Sequence, residues 1–189
     1  LALHLGTSWP WHRPVYSNNN NGHVRIEFRA IPAGPTSIDM IANAAFAMGL
    51  AVGLADQVED FIAAIPFRFA EYNFYRAAQN GLDASILWPC KESHLTKETP
   101  IVDVINRLFP FAENGLKSMG VDRSDIDTYL GIIAERLQTG ITGARWQKNT
   151  HRHFEKKYNR EKASRIVSGL YVENSRNAIP VAKWSQEWS

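Results

Sequence analysis

The sequence predicts an α+β fold that is predominantly α, in which an N-terminal β-hairpin is followed by a helical bundle of six or seven helices. Polar and apolar residues alternate with the two-residue period of a strand from His23 to Ile31. After Pro35, apolar residues recur with the 3.6-residue period of a helix. Of the 189 residues, 44% are hydrophobic and 21% are charged, which is typical of globular proteins and excludes general disorder.

The hairpin is predicted from two short strands and the loop between them. We expect the first strand within residues 1–8 and the second over residues 23–31, joined across the Asn-rich stretch 18–22, where Asn and Gly tolerate a positive φ. The apolar face of the second strand comprises Val24, Ile26, Phe28 and Ala30. Two strands alone are only marginally stable, so we expect them to belong to a larger sheet. Because the chain opens without Met and offers too few further strands, we interpret it as a fragment of a longer protein.

The helices are predicted from apolar periodicity, caps and breakers. Thr36 or Ser37 caps the first helix, whose many Ala and Gly residues indicate close packing against a neighbour. A second helix is expected at 57–65 and a third at 67–80, ended by Gly81, whereas residues 85–99 are expected to form a loop. The later helices are predicted at 100–120 with an interruption at Pro110, at 124–138 opened by Ser124 and Asp127, at 142–158 and at 160–177.

The cysteine content and the apolar segments bear on the compartment. Cys90 is the only cysteine, so no internal disulfide can form, and this pattern favours a cytoplasmic protein. The longest uncharged apolar stretch, residues 40–55, is too short to span a bilayer, and no signal peptide is visible. We therefore expect no membrane partner.

The polar face of the second strand carries the strongest chemical signal. Arg25, Glu27 and Arg29 are spaced two residues apart, so all three project from one face at intervals of roughly 7 Å. One explanation is a surface ladder of ion pairs. The other is a phosphate site, because a carboxylate can bind Mg²⁺ while flanking guanidinium groups match phosphate oxygens. Phosphoryl transfer needs this mixture of charges.

Two stretches of the chain resemble one enzyme superfamily. Residues 23–36 are His-Val-Arg-Ile-Glu-Phe-Arg-Ala-Ile-Pro-Ala-Gly-Pro-Thr, and residues 39–50 are Asp-Met-Ile-Ala-Asn-Ala-Ala-Phe-Ala-Met-Gly-Leu. They resemble the Arg-Ile-Glu-x-Arg strand and the Ala- and Asn-rich helix of the glutamine synthetase superfamily, above all its glutamate–cysteine ligase (carboxylate–amine ligase) branch. Residues 6–14, Gly-Thr-Ser-Trp-Pro-Trp-His-Arg-Pro, are similar to that branch's Trp- and Arg-containing strand. Weaker similarities continue at 73–74, 81–83, 115–116, 139–146 and 180–184.

The resemblance implies an ATP- and magnesium-dependent ligase. Such an enzyme joins glutamate or a similar carboxylate to an amino-acid amine through an acyl-phosphate, as in glutathione biosynthesis. Glu27 would be a magnesium ligand, and Arg25 and Arg13 would contact nucleotide phosphate. Arg29 would contact the transferred phosphoryl group or the substrate carboxylate, so that Arg29 and Arg25 would be the catalytic residues.

The resemblance also implies how the chain is organised. Residues 1–35 would form the β-hairpin and residues 36–189 the helical region of the same catalytic domain. Members of the superfamily take several metal ligands from strands upstream of this motif. We therefore expect the C-terminal part of a ligase, which lacks turnover when it is isolated.

The basic segment 145–165 supports an alternative. It has eight basic residues against two acidic ones, a net charge of +6, which leaves the rest of the chain at −4. On a continuous helix, Arg145, Lys148, Arg152, Lys156 and Arg160 would form one stripe, typical of a non-enzymatic helical module that binds nucleic acid or a protein partner. A solvated outer helix face is the structural explanation of the same pattern. In the ligase interpretation we do not expect nucleic acid as a partner, whereas an exposed sheet edge would allow a homo-oligomer.

Overall fold

The computed structural model describes residues 12–19, 21–31, 33–90, 96–186 and 188. Within these residues the chain forms two antiparallel hairpins and seven α-helices, which confirms the predicted α+β, predominantly α class. The strands are β1 (Arg13–Ser17), β2 (His23–Glu27), β3 (Ser85–Pro89) and β4 (Thr96–Pro100). The helices are α1 (Ser37–Gly53), α2 (Val58–Ala64), α3 (Phe67–Asn80), α4 (Ile101–Ser118), α5 (Arg123–Thr139), α6 (Gly143–Glu155) and α7 (Arg160–Arg176).

The N-terminal hairpin is formed by β1 and β2. Arg13 lies opposite Glu27 and Ser17 opposite His23, and Gly22 in the connecting loop has φ 82°, a conformation that favours glycine. The predicted N-terminal hairpin is confirmed, but the strand that pairs with β2 is Arg13–Ser17 and not the predicted segment 1–8. Strand β2 ends at Glu27 and not at Ile31, because β1 begins opposite Glu27. The strand predicted within residues 1–8 lies outside the described residues.

A second hairpin replaces the loop predicted at residues 85–99. Strands β3 and β4 pair antiparallel, with Ser85 opposite Pro100 and Pro89 opposite Thr96, and they form a sheet separate from the first. Asn73 of α3 fastens this hairpin. Its side-chain amide donates to the carbonyl oxygen of Leu87 at 2.8 Å and accepts from the Leu87 N–H at 2.7 Å. The amide thus occupies the place of a neighbouring strand's backbone.

The main core lies where α1, α4 and α5 meet. Its buried residues are Ala45, Ala112, Leu116, Ile126 and Leu130. Helices α1 and α4 approach closely at glycines, since a Cβ added to Gly115 would clash with the backbone of Gly49. The prediction of close packing from the Ala and Gly content of α1 is therefore confirmed.

The helix interruption predicted at Pro110 is wrong. Helix α4 continues through Pro110 from Ile101 to Ser118, although proline removes one backbone hydrogen bond. Val104 before the proline and Leu116 after it are both buried, so tertiary packing holds the two parts of the helix together. Helix α5 begins at Arg123, one residue before the predicted Ser124, and α6 ends at Glu155 and not at residue 158.

A second core cluster joins α6 and α7 to the C-terminal segment. Its buried residues are Ile141, Trp146, Val167, Val181 and Trp184. The ring of Trp146 lies edge-on to that of Trp184 at 4.9 Å between centroids, and its indole N–H donates to the carbonyl oxygen of Ser185 at 2.9 Å. Val181 and Trp184 of the C-terminal segment are therefore part of the core.

No single helix in the described residues combines the length and apolar composition needed to cross a membrane. Helix α1 and the following segment Ala55–Ala64 meet that test only as a pair, and the pair is bent by 54°.

Candidate functional site

The hairpin brings three of the four predicted site residues onto one face. Residues that lie opposite each other in an antiparallel pair project from the same side of the sheet, as do residues two apart along a strand. Arg13 lies opposite Glu27, and Arg25 is two residues before Glu27 on β2. We call Arg13, Arg25 and Glu27 the hairpin face.

Glu27 is the centre of this face. The Nε and Nη2 atoms of Arg13 both lie 2.8 Å from the Oε2 atom of Glu27. The Oε1 atom of Glu27 lies 3.9 Å from the Nε atom of Arg29, which follows the strand. One carboxylate therefore stands between two guanidinium groups, but these belong to Arg13 and Arg29 and not, as the spacing predicts, to Arg25 and Arg29. No carboxylate of the described residues pairs with Arg25.

Arg29 is more buried than Arg13, its counterpart on the other side of Glu27. Its side chain is 21% exposed, against 57% for Arg13. Its backbone N–H donates to the Nδ1 atom of His12 at 3.2 Å, and the His12 ring lies 4.9 Å from that of Phe28. His12 therefore helps to place Arg29, a role that the sequence analysis missed because the two residues are far apart in the chain.

The hairpin face is open to solvent. The Glu27 side chain is 43% exposed, and every residue of β2 is exposed. Exposed ion pairs of this kind contribute only about 0–1 kcal/mol each, so an incoming anion or cation can exchange with either partner at low cost. The face can act as an ion-pair ladder in the free protein and still receive a charged ligand.

The donor set at this face allows a limited role in metal binding. Among the described residues, no three His, Cys, Asp or Glu side chains come together as a metal site. Glu27 could therefore supply one oxygen ligand. Mg²⁺ keeps few protein ligands and takes the others from water and phosphate, so a single carboxylate fits such an ion only when further ligands come from elsewhere.

A buried carboxylate links the segment after the hairpin to the helical core. Asp39 in the first turn of α1 is 0% exposed. It accepts hydrogen bonds from the Thr36 hydroxyl at 2.6 Å, from Arg136 of α5 at 2.8 Å and from the Val181 N–H at 3.1 Å. We call Asp39 with these three partners the Asp39 junction. It joins α1, α5 and the C-terminal segment at one point.

Arg136 extends the junction to a cavity. Its guanidinium group also donates to the Asn43 side chain at 2.6 Å, while its Nε atom is buried and has no hydrogen-bond partner. A cavity of about 360 Å³ lies beside it, lined among others by Gly34, Tyr171 and Gly143. Burial raises the pKa of the Tyr171 hydroxyl, and the negative charge of Asp39 raises it further.

Arg136 could have been noticed in the sequence. It lies four residues after Ile132 and three after Ile133, and both isoleucines are buried. A charged residue that continues an apolar helix face indicates a buried ion pair. What the sequence does not supply is the partner, because Asp39 lies 97 residues away.

The basic segment does not form the continuous stripe that we considered. Helix α6 ends at Glu155 and α7 begins at Arg160, where the Asn159 side chain caps it by accepting from the Lys162 N–H at 2.9 Å. Lys156 lies in the connection between the helices. Lys148 and Arg152 of α6 instead line one groove together with Arg160 of α7.

Comparisons with models of known protein families, with curated proteins and with solved structures find no match to this chain.

Proposed function

We propose that this chain is the C-terminal part of an ATP- and magnesium-dependent carboxylate–amine ligase similar to glutamate–cysteine ligase. The observation that carries the proposal is the placement of Glu27 between the guanidinium groups of Arg13 and Arg29 on an open strand face. The family resemblance of the surrounding motif points to the same chemistry. Charges of both signs at one open face suit a reaction in which phosphoryl groups and carboxylates must be held together.

The proposal gives each residue of the site a role. Arg25 and Arg13 bind nucleotide phosphate, and Arg29 orients the acceptor carboxylate and neutralises charge on the transferred phosphoryl group. A carboxylate oxygen of the acid attacks the γ-phosphorus, which yields an acyl-phosphate and ADP. The amine then attacks the acyl carbon, loses a proton and displaces phosphate, which leaves an amide. When bound, magnesium would reduce the charge on the phosphates, and Glu27 would be one of its ligands.

The exposed hairpin supports the view that turnover belongs to a longer protein. Val24 and Ile26 are 66% and 55% exposed, and β1 and β2 make a sheet of two strands only within the described residues. A two-stranded sheet with both faces in solvent is marginally stable by itself. Further strands beside this hairpin would cover its apolar side and supply the missing metal ligands.

The test is Glu27→Ala in the longer ligase. We expect loss of Mg-ATP-dependent amide formation, measured as ADP release that depends on both acid and amine, because the carboxylate ligand is removed. The melting temperature should change little, because the Glu27 ion pairs are exposed. Glu161→Ala is the matched control, since Glu161 forms an exposed ion pair with Arg165 outside the hairpin.

Arg29→Lys sharpens the same test. A single ammonium group cannot reproduce a two-pronged contact with phosphate or carboxylate, so we expect a severe loss of turnover in a folded protein. Calorimetric titration of the isolated chain with Mg-ADP should show weak or no binding that depends on Glu27, so the Glu27→Ala chain should titrate like wild type. Full turnover by the Glu27→Ala protein, or tight nucleotide binding by the isolated chain that Glu27→Ala removes, would contradict the proposal.

A further inference from the structure

We infer that the groove between α6 and α7 is a binding site for a ligand that carries two or more linked phosphate groups. The groove has a volume of about 480 Å³ and is lined by Lys148 and Arg152 of α6 and by Arg160 and Ser168 of α7. We call it the basic groove. Its cations come from two helices, so they converge on a concave surface and do not spread along a single helix.

The three cations of the basic groove have no acidic partners among the described residues. Elsewhere in the same segment the arginines are paired: Arg145 with Asp83, and Arg165 with Glu161. The one carboxylate in the groove, that of Glu155, lies 3.3 Å from the Nδ1 atom of His151. Lys148, Arg152 and Arg160 therefore give the groove an excess of positive charge that the fold does not neutralise.

The arrangement suits linked phosphates better than one. Lys148 and Arg152 also line a second groove of about 470 Å³, on the side of α6 that faces the Gly81–Asp83 turn. These two side chains therefore form a ridge between two grooves, with Arg160 across one of them. A ligand with several linked phosphates can contact the ridge and Arg160 at once, and guanidinium groups bind phosphate oxygens through paired hydrogen bonds.

The lining favours a compact ligand over nucleic acid. Single-stranded nucleic acids are bound through aromatic rings on which bases stack, together with a basic track for the backbone. The described lining of the basic groove includes no Phe, Tyr or Trp side chain. Its neutral polar residues, such as Gln147 and Ser168, can donate further hydrogen bonds to phosphate oxygens.

This inference does not depend on the proposed ligase activity. The basic groove contains no residue of the hairpin face, so a failure of one proposal leaves the other standing. A nucleotide and an inorganic oligophosphate share the chemistry that the groove recognises. The experiment therefore uses both as probes.

The test is calorimetric titration of the chain with tripolyphosphate and, separately, with ATP at low ionic strength. We expect binding of both, weakened by added salt. The triple variant K148Q/R152Q/R160Q should lose about tenfold or more in affinity, because the charge-assisted hydrogen bonds to phosphate are removed. Equal affinities for the two probes would assign the site to the phosphate chain alone, and a tighter fit of ATP would assign it to a nucleotide.

The matched control is K97Q/K117Q/R176Q, which removes the same charge from three exposed basic residues outside the basic groove. It should bind tripolyphosphate within about twofold of wild type, because screened charges at a distance act weakly. Circular dichroism melting should confirm that both variants are folded. The inference would be overturned if the chain did not bind tripolyphosphate, or if the control variant lost as much affinity as the triple variant. It would also be overturned if the chain bound single-stranded oligonucleotides more tightly than tripolyphosphate.

Discussion

Glu27 and Asp39 are both carboxylates paired with arginine, but they lie in opposite surroundings. Glu27 is held by Arg13 and Arg29 on an open strand face and is 43% exposed. Asp39 is held by Arg136, Thr36 and Val181 and is fully buried. The first pair can exchange its partners for a ligand, whereas the second cannot be opened without exposing the core. The comparison separates a carboxylate available for chemistry from one that maintains the fold.

The largest expected effect is that of Asp39→Ala. Removing one partner of a buried ion pair leaves the other charge uncompensated, so we expect the free energy of unfolding to fall by about 3–5 kcal/mol. The measurement is guanidinium unfolding followed by far-UV circular dichroism. Glu27→Ala provides the comparison and should shift the same curve by less than about 1 kcal/mol. If Asp39→Ala does not fold, Asp39→Asn measures the charge alone. Unfolding curves that coincide for Asp39→Ala and wild type would contradict the role of the Asp39 carboxylate in maintaining the fold.

A pair of isoleucines tests the same contrast for apolar packing. Ile133 is 8% exposed in the helical core, and Ile26 is 55% exposed on the hairpin. Ile133→Ala should destabilise the helical region by about 2–5 kcal/mol through lost burial and the cavity it leaves. Ile26→Ala should stay within about 0.5 kcal/mol of wild type. A comparable loss in both variants would show that the hairpin is packed against the chain after all.

The glycine contact between α1 and α4 predicts an effect of intermediate size. A Cβ at Gly115 meets the α1 backbone, which cannot move aside as a side chain can. Gly115→Ala should therefore destabilise by about 1–3 kcal/mol or more. Gly131→Ala is the control, because a Cβ there meets nothing within 4 Å, and it should stabilise α5 by about 0.5–1 kcal/mol. The opposite signs of these two substitutions are the result to check by thermal melting. A neutral Gly115→Ala would contradict the close approach of the helices.

The smallest expected effect concerns Tyr171 at alkaline pH. Burial and the charge of Asp39 raise the pKa of its hydroxyl above the ordinary value of 10.0. The folded protein therefore keeps this proton to higher pH than the unfolded chain. The contribution of Tyr171 to the free energy of unfolding is therefore fully present below pH 10.0. It is lost as the pH rises through the folded-state pKa of its hydroxyl. Absorbance titration at the tyrosinate band should show a late component that Tyr171→Phe removes. An unchanged titration curve in the variant would contradict this assignment.

Local signals were sufficient for several elements of the fold. Helix α3 runs over Phe67–Asn80 with Gly81 after it, as the apolar period and the terminal glycine predict. Thr36 caps α1, with its hydroxyl accepting from the Asp39 N–H at 3.1 Å. These features depend on residues within one turn of each other, which is why a single sequence can supply them.

The larger errors involve contacts between distant residues. Strands β3 and β4 are five residues each and both end in proline. Neither their pairing nor the contact of Asn73 with β3 is visible to local patterns. Helix α4 passes through Pro110 because its packing with α1 outweighs a local penalty. For the candidate site, the spacing predicts that Glu27 and Arg29 share a face, but the roles of His12 and Arg136 depend on partners that only the folded chain brings near.

The bond from the Val181 N–H to Asp39 spans 142 residues, and Val181 and Trp184 are both buried. A ribosome has therefore synthesised nearly all of this sequence before the Asp39 carboxylate can meet its third partner. Until then the first turn of α1 holds a charge that is only partly neutralised. Completion of the Asp39 junction must therefore follow translation of Val181, whereas α1, α4 and α5 can pack on one another before that.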